Sequence, residues 1–203
     1  MPLCQEKLCS FRWNFCINWS FYRYFCIIVR IVKKLLAELH PRDEHGRFSE
    51  KGIMELTDEE RQELLDYLEA EEYENYDGFH ISKRKIVAIR LGKYKTEIAM
   101  CKILAENGFD VYLLDENYTK GKKADTFFRK ENKRDFLELK DTSNDVTRQY
   151  NRSIEQAKNC FISVKGYVSP SQMKSLKEAV AKNPNADEVY LYIGAENKFL
   201  QIK

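Results

Sequence analysis

The sequence predicts an α/β (α+β) fold, a central mixed sheet flanked by helices, in residues 79–203, preceded by an irregular or helical N-terminal extension. Three observations lead there. Residues 96–107 and 146–164 repeat apolar side chains at helical spacing. Residues 110–114 and 188–193 are short apolar runs of strand length. Between the two helical segments, residues 125–140 read as a β-hairpin around the polar turn Glu131-Asn132-Lys133. The predicted order is helix, strand, strand, strand, helix, strand.

At 203 residues the chain holds one ordinary core with appendages. Residues 1–40 form a hydrophobic and basic extension. Within it, residues 11–32 are rich in aromatics and isoleucine, as a membrane helix would be. Arg12, Asn14, Asn18, Arg23 and Arg30 interrupt the run. A central arginine costs about 2.5–3.5 kcal/mol on insertion. No small-residue cleavage site for a secretory signal follows. A membrane span is therefore not expected; an exposed apolar surface prone to association is.

Four of the six cysteines, Cys4, Cys9, Cys16 and Cys26, fall in this extension at gaps that match no zinc-site spacing. Cys101 and Cys160 fall on the core faces of the two predicted helices. No disulfide framework is expected, and the site of action is expected to be reducing and cytoplasmic.

Residues 41–78 read as a linker and an acidic helix. Thr57 and Glu60 have capping-box spacing, Leu64, Leu65 and Leu68 form a stripe, and Tyr76-Asp77-Gly78 breaks the helix after about Glu74. A further helix is expected from Lys85 to Ile89. In the segment 96–107 the apolar positions are Ile98, Cys101, Leu104 and Ala105, with Thr96 as N-cap and Gly108 as C-cap. In 146–164 they are Tyr150, Ile154, Ala157 and Phe161. Pro170-Ser171 and Asn183-Pro184 bracket a helix over 172–181. Residues 198–202 form a last strand, paired with 188–193 through a turn at 194–197.

The chemistry lies in the hairpin. Successive strand side chains alternate, so Glu138 and Lys140 share a face while Leu139 takes the other. Asp125 heads the preceding antiparallel strand, flanked by Phe127 and Phe128. Two carboxylates are the hard oxygen ligands that Mg²⁺ prefers, with the remaining positions left to water and phosphate. A lysine beside them can hold the attacking water or offset developing charge. The same tripeptide also occurs as a solvated ion pair on a strand. Asp115, Glu116, Asp135 and Asp141 are read as turn or surface acids.

Charge is unevenly distributed. Residues 1–40 have 6 basic and 2 acidic side chains, residues 41–78 have 4 and 14, and residues 79–203 have 24 and 16. A basic domain around an acidic pocket suits a polyanionic substrate. Lys83, Arg84 and Lys85 are candidate phosphate contacts before the first strand. Lys120, Lys122, Lys123, Arg129, Lys130, Lys133 and Arg134 are candidates around the hairpin. A solvated surface accounts for them equally well.

The element order with these polar residues resembles the PD-(D/E)xK nuclease superfamily. Within it, the likeness is to the C-terminal tRNA-nuclease domain of CdiA-type contact-dependent toxins. The resemblance covers about 96–193 and rests on Glu97, Gly108-Phe109-Asp110-Val111, Ala124-Asp125, Glu138-Leu139-Lys140 and Gln156. Ala124 stands where the family usually has proline. The resemblance implies a restriction-endonuclease-like αβββαβ core and metal-dependent phosphodiester hydrolysis with Mg²⁺ or Mn²⁺. It implies that Asp125 and Glu138 bind metal, that Lys140 assists the attacking water, and that Glu97 is a further ligand or water-orienting acid. Gln156 would touch the site or the substrate. Glu97 also suits the first turn of a helix for its dipole alone, and Gln156 suits the edge of an apolar stripe.

Residues 40–48, from His40 to Phe48, resemble a short motif of phage minor head and head-morphogenesis proteins. The partners implied are nucleic acid, with tRNA or other RNA favoured over DNA, and an immunity protein or phage head component. A DNA endonuclease of the same fold and a non-catalytic phage structural or partner-binding module remain as alternatives.

Overall fold

The computed structural model describes residues 52–115, 117–119 and 121–203. All belong to the second of two units into which the chain divides, Asp43–Lys203. The expectations placed on residues 1–40, on His40 to Phe48, and on Glu116 and Lys120 lie outside the described residues.

Among the described residues eight strands form one mixed sheet, ordered as they occur along the chain. They are β1 (Tyr73–Tyr76), β2 (Phe79–Ser82), β3 (Asp110–Leu113), β4 (Thr126–Lys130), β5 (Lys133–Thr142), β6 (Asn159–Val164), β7 (Val189–Ile193) and β8 (Lys198–Gln201). β3, β4 and β5 form an antiparallel meander, and β6 and β7 continue it in parallel. The helices are α1 (Asp58–Glu69), α2 (Ile86–Arg90), α3 (Lys95–Glu106), α4 (Val146–Ser153) and α5 (Pro170–Lys182).

Both sheet faces are covered, as the parallel crossovers require. On one face, Met100, Cys101 and Leu104 of α3 pack on Val111, Leu113, Phe128, Leu137, Leu139 and Phe161. On the other, Leu64, Leu65 and Leu68 of α1 pack on Tyr112, Phe127 and Phe136. Beside them, Val146 and Tyr150 of α4 and Leu176 and Val180 of α5 cover Cys160, Ile162 and Leu191. Strand alternation therefore puts Glu138 and Lys140 on the α1–α4–α5 face, with Leu139 beneath α3.

The expected α/β class, a mixed sheet flanked by helices, is what the chain adopts. Several elements differ in detail. The helix expected over 146–164 ends at Ser153, and its second half is β6, whose residues are all buried. A short fully buried strand shows no amphipathic alternation, so its apolar positions can match a helical period. Cys160 accordingly sits on β6, not on a helix. The sixth element of the helix-and-strand order is thus β6 and not the 188–193 strand, which is β7. The acidic helix stops at Glu69, and residues 73–76 turn back into sheet as β1 through Asp77 and Gly78, both at positive φ.

Residues before 79 are part of the same structure. β1 pairs residue for residue with β2, from Tyr73 opposite Ser82 to Tyr76 opposite Phe79. The three leucines of α1 are fully buried. The boundary expected at residue 79 runs between two paired strands. The Thr57–Glu60 capping box is present, with Glu60 N–H donating to Thr57 Oγ1 at 3.2 Å and Thr57 N–H to Glu60 Oε2 at 2.9 Å. Thr96 is not the cap of α3: that position is Tyr94, at φ 60° after Gly92 at φ 79°, and Thr96 lies inside the first turn. Gly108, at φ 82°, ends the same helix as expected.

Candidate active site

Asp125 sits immediately before β4, at the end of a loop held from three sides. The Tyr118 hydroxyl donates to Ala124 O at 2.7 Å and accepts from Ala124 N–H at 2.8 Å. Leu114 N–H donates to Asp125 O at 3.0 Å. Ile53 N–H, in the 3₁₀ turn Ile53–Glu55, donates to Lys122 O at 3.0 Å. Tyr118 is buried, so its double bond to one peptide fixes the loop away from competing water.

The Asp125 carboxylate then reaches across to the next strand. Its Oδ2 accepts the Leu139 backbone N–H at 3.1 Å. That peptide lies between Glu138 and Lys140, so the three expected residues meet at one point of the sheet. Glu138 is 1 % exposed, and Oε1 accepts a hydrogen bond from Lys140 Nζ. Its other oxygen, Oε2, is buried with no hydrogen-bond partner. Burial of this kind, with the Asp125 charge nearby, pushes the Glu138 carboxyl up to about 8 against the pull of Lys140. Burial also raises Asp125, with Lys140, the Leu139 N–H and Lys85 acting the other way and Glu97 adding to the rise.

Glu97 lies in the first turn of α3, and its charge adds to the rise of the Asp125 carboxyl. Among the described residues, however, no group of three or more His, Cys, Asp or Glu side chains is placed to hold a metal ion. The donors that do fit one are the two carboxylates, Asp125 and Glu138. The unpartnered Oε2 of Glu138 is an orphaned hard oxygen of the kind that a hard divalent cation satisfies.

No family model, curated protein or solved structure matches this chain. The site is therefore read from its own geometry.

Gln156 is not on a helix. It lies in the turn after α4, its N–H bonded to Ser153 O at 2.9 Å. It nonetheless shares an open cleft of about 390 Å³ with Lys140, Lys122, Gln149, Arg152 and Glu155. Gln149 and Arg152 are one helical turn apart on α4 and were not singled out by the sequence. The signal was available: they alternate with the buried Val146, Tyr150 and Ser153 and so form the polar stripe of an amphipathic helix.

The hairpin cations are mostly engaged within the protein. Glu69 of α1 takes Arg129 on one oxygen at 2.5 Å and Arg134 on the other at 2.6 Å. Asp110 holds Arg129 at 2.6 Å, Asp66 holds Arg134 at 2.5 Å, and Glu188 holds Lys133 at 3.3 Å. Lys130 lies 4.1 Å from the centre of the Phe109 ring. Arg129 and Arg134 tie the acidic helix α1 to the sheet. Lys85 is buried, its Nζ 4.1 Å from the centre of the Tyr94 ring. Asp135 and Asp141 lie within β5, near its two ends. The first accepts from Asn159 Nδ2 at 3.0 Å and the second pairs with Lys165 at 2.8 Å.

Among the described residues no helix is long and apolar enough to cross a membrane.

Proposed function

We propose that this chain is a metal-dependent nuclease of the PD-(D/E)xK type, hydrolysing phosphodiester bonds, with tRNA or other RNA as the favoured substrate. The observation that carries it is the convergence of Asp125, Glu138 and Lys140, joined through the Leu139 peptide, on a buried carboxylate with an orphaned oxygen. The run α3-β3-β4-β5-α4-β6, with its antiparallel meander and parallel fourth strand, supports the restriction-endonuclease-like reading of the core. The excess of basic residues over 79–203 supports a polyanionic substrate.

In this reading Asp125 and Glu138 hold Mg²⁺ or Mn²⁺, and Glu97 contributes from α3 through the field at Asp125 and the orientation of water. The ion, when bound, lowers the pKa of a water and offsets charge on the phosphate. The protein supplies the rest. The Leu139 N–H fixes the Asp125 carboxylate, so its second oxygen keeps a set direction. Burial holds Glu138 toward its neutral form even with Lys140 on Oε1, and a divalent cation at the unpartnered Oε2 would favour the ionised form. Lys140, partly exposed at the cleft and bonded to Glu138, would donate to the attacking water or to a phosphate oxygen. Gln156, on the same cleft, offers an amide to the substrate.

Expression in a bacterial host tests this directly. Wild-type chain should arrest growth and degrade cellular RNA, and Glu138→Ala should relieve both. Normal growth with intact RNA at wild-type expression contradicts the reading. A second reading, a non-catalytic binding module of the same fold, is favoured by the Glu138–Lys140 pair, in which each charge already has a partner. It predicts nucleic-acid binding that neither needs metal nor leads to cleavage.

A further inference from the structure

The cleft beside Lys140 has a second cationic wall. Lys122 comes from the loop that leads into Asp125, and Arg152 from the last turn of α4. Glu155, in the turn after α4, reaches across the opening and meets Lys122 Nζ at 2.7 Å. Both side chains of this pair are more than half exposed. An exposed ion pair of this kind contributes little to stability, and competing anions and salt screen it. The Glu155 carboxylate is held below its usual range by Lys122 first and by Arg152 as well. It is therefore an anion set among the cleft's cations, with the amides of Gln149 and Gln156 on the same lining.

We propose that this cleft is a subsite for a backbone phosphate of the nucleic-acid strand next to the one at Lys140, in which Lys122 and Arg152 are the positioning cations and Glu155 holds the phosphate's place in the free protein. The proposal rests on the nuclease reading for its substrate class. Its physical content is an exchange. A phosphate carries more charge and more acceptor oxygens than a carboxylate, and Arg offers a fork that matches it. On binding, Glu155 swings out to solvent and Lys122 and Arg152 close on the strand. Because Lys122 sits on the loop fixed by Ile53 and Tyr118, the bound phosphate has a defined position relative to Asp125. The two cations act through placement of the strand and are not catalytic residues.

The test measures binding of the full chain to a fluorescently labelled single-stranded RNA by anisotropy, in EDTA, across a salt series. Lys122→Ala and Arg152→Ala should each weaken binding about tenfold and each lower the salt slope by roughly one phosphate contact. Glu155→Gln should tighten binding several-fold, and Lys122→Ala should remove that gain in the double variant. Glu178→Gln on α5 makes the same charge change away from the cleft and should do nothing. Far-UV circular dichroism checks each variant's fold, and a gain in affinity by Glu155→Gln cannot come from misfolding. If Glu178→Gln tightens binding as much as Glu155→Gln, net charge explains the effect and the subsite is wrong. It is also wrong if wild-type chain binds RNA and all cleft variants bind equally. Binding with the expected pattern but no cleavage once Mg²⁺ replaces EDTA keeps the subsite and removes the nuclease reading; absence of any RNA binding by wild type overturns both.

Discussion

The Asp125 carboxylate accepts the backbone N–H of Leu139 at 3.1 Å, which ties the head of β4 to the one residue that separates Glu138 from Lys140. This bond makes three residues into one unit. It also separates two roles of Asp125 that substitutions can tell apart. Asp125→Asn keeps an oxygen for Leu139 N–H; Asp125→Ala does not. Both should lose cleavage by roughly 10²–10⁴-fold, the scale of a positioned electrostatic or acid–base group. Only the alanine variant should also lose stability, by about 1–2 kcal/mol for the stranded N–H. Urea melts and cleavage rates on both variants check this; an active Asp125→Asn enzyme would make the residue structural.

Glu138 should give the fold a pH dependence. Its carboxyl is raised to about 8 in the folded chain by burial and then by Asp125, from 4.5 ordinarily. Between those values the folded state holds a proton that the unfolded state has released. Stability therefore falls as pH rises through this window, by an amount on the order of a few kcal/mol. In metal-free buffer, urea unfolding from pH 5 to 9 should show the fall in wild type and a flatter profile in Glu138→Gln. Parallel profiles would mean that Glu138 is ionised throughout.

Tyr118 should matter more than its position outside the hairpin suggests. Its hydroxyl serves both the N–H and the C=O of Ala124. Tyr118→Phe leaves both buried groups unpaired, at about 1–3 kcal/mol. It also loosens the residue before Asp125. Differential scanning calorimetry should show a drop of several degrees in Tm, and cleavage should slow. An unchanged Tm contradicts the clamp.

Gly52 couples the start of the described chain to the site loop. A Cβ there would lie 2.9 Å from Lys122 N and 3.2 Å from Lys122 O. Gly52→Ala must displace backbone and cannot be absorbed by a flexible side chain. The expected outcome is lower stability together with weaker RNA binding, because the loop carries Lys122. Binding and melting on the same preparation test it, and wild-type values for both would show that the contact is dispensable.

Much of this structure was legible in residue chemistry, and the exceptions have physical causes. The Thr57–Glu60 capping box and the Gly108 stop are local signals, because each needs only a few neighbouring residues. The hairpin was readable because Glu131 and Asn132 separate two strand-like runs. β6 was not, because a strand buried on both faces hides its period. β1 was not, because its residues Tyr73 to Tyr76 are largely exposed and continue the acidic composition of α1. The boundary at 79 followed charge, whereas the fold uses that charge: Glu69 and Asp66 are acidic because Arg129 and Arg134 lie opposite them. That Glu138 and Lys140 share a face follows from strand alternation, but the spacing is weak by itself and Asp125, Glu138 and Lys140 stood out only with the flanking elements beside them. The cleft with Gln149 and Arg152 did not stand out, since it exists only once α4 crosses over the sheet.

The central claim is that Asp125 and Glu138 support metal-dependent hydrolysis of a phosphodiester. Incubating the purified full chain with total tRNA, other RNA and duplex DNA, with Mg²⁺ and with EDTA, measures it most directly. The expected result is strand scission of tRNA or other RNA that requires Mg²⁺ and disappears in Glu138→Gln of unchanged circular dichroism. Equal scission in EDTA or by that variant, or intact substrates of all three kinds with Mg²⁺ present, would contradict it.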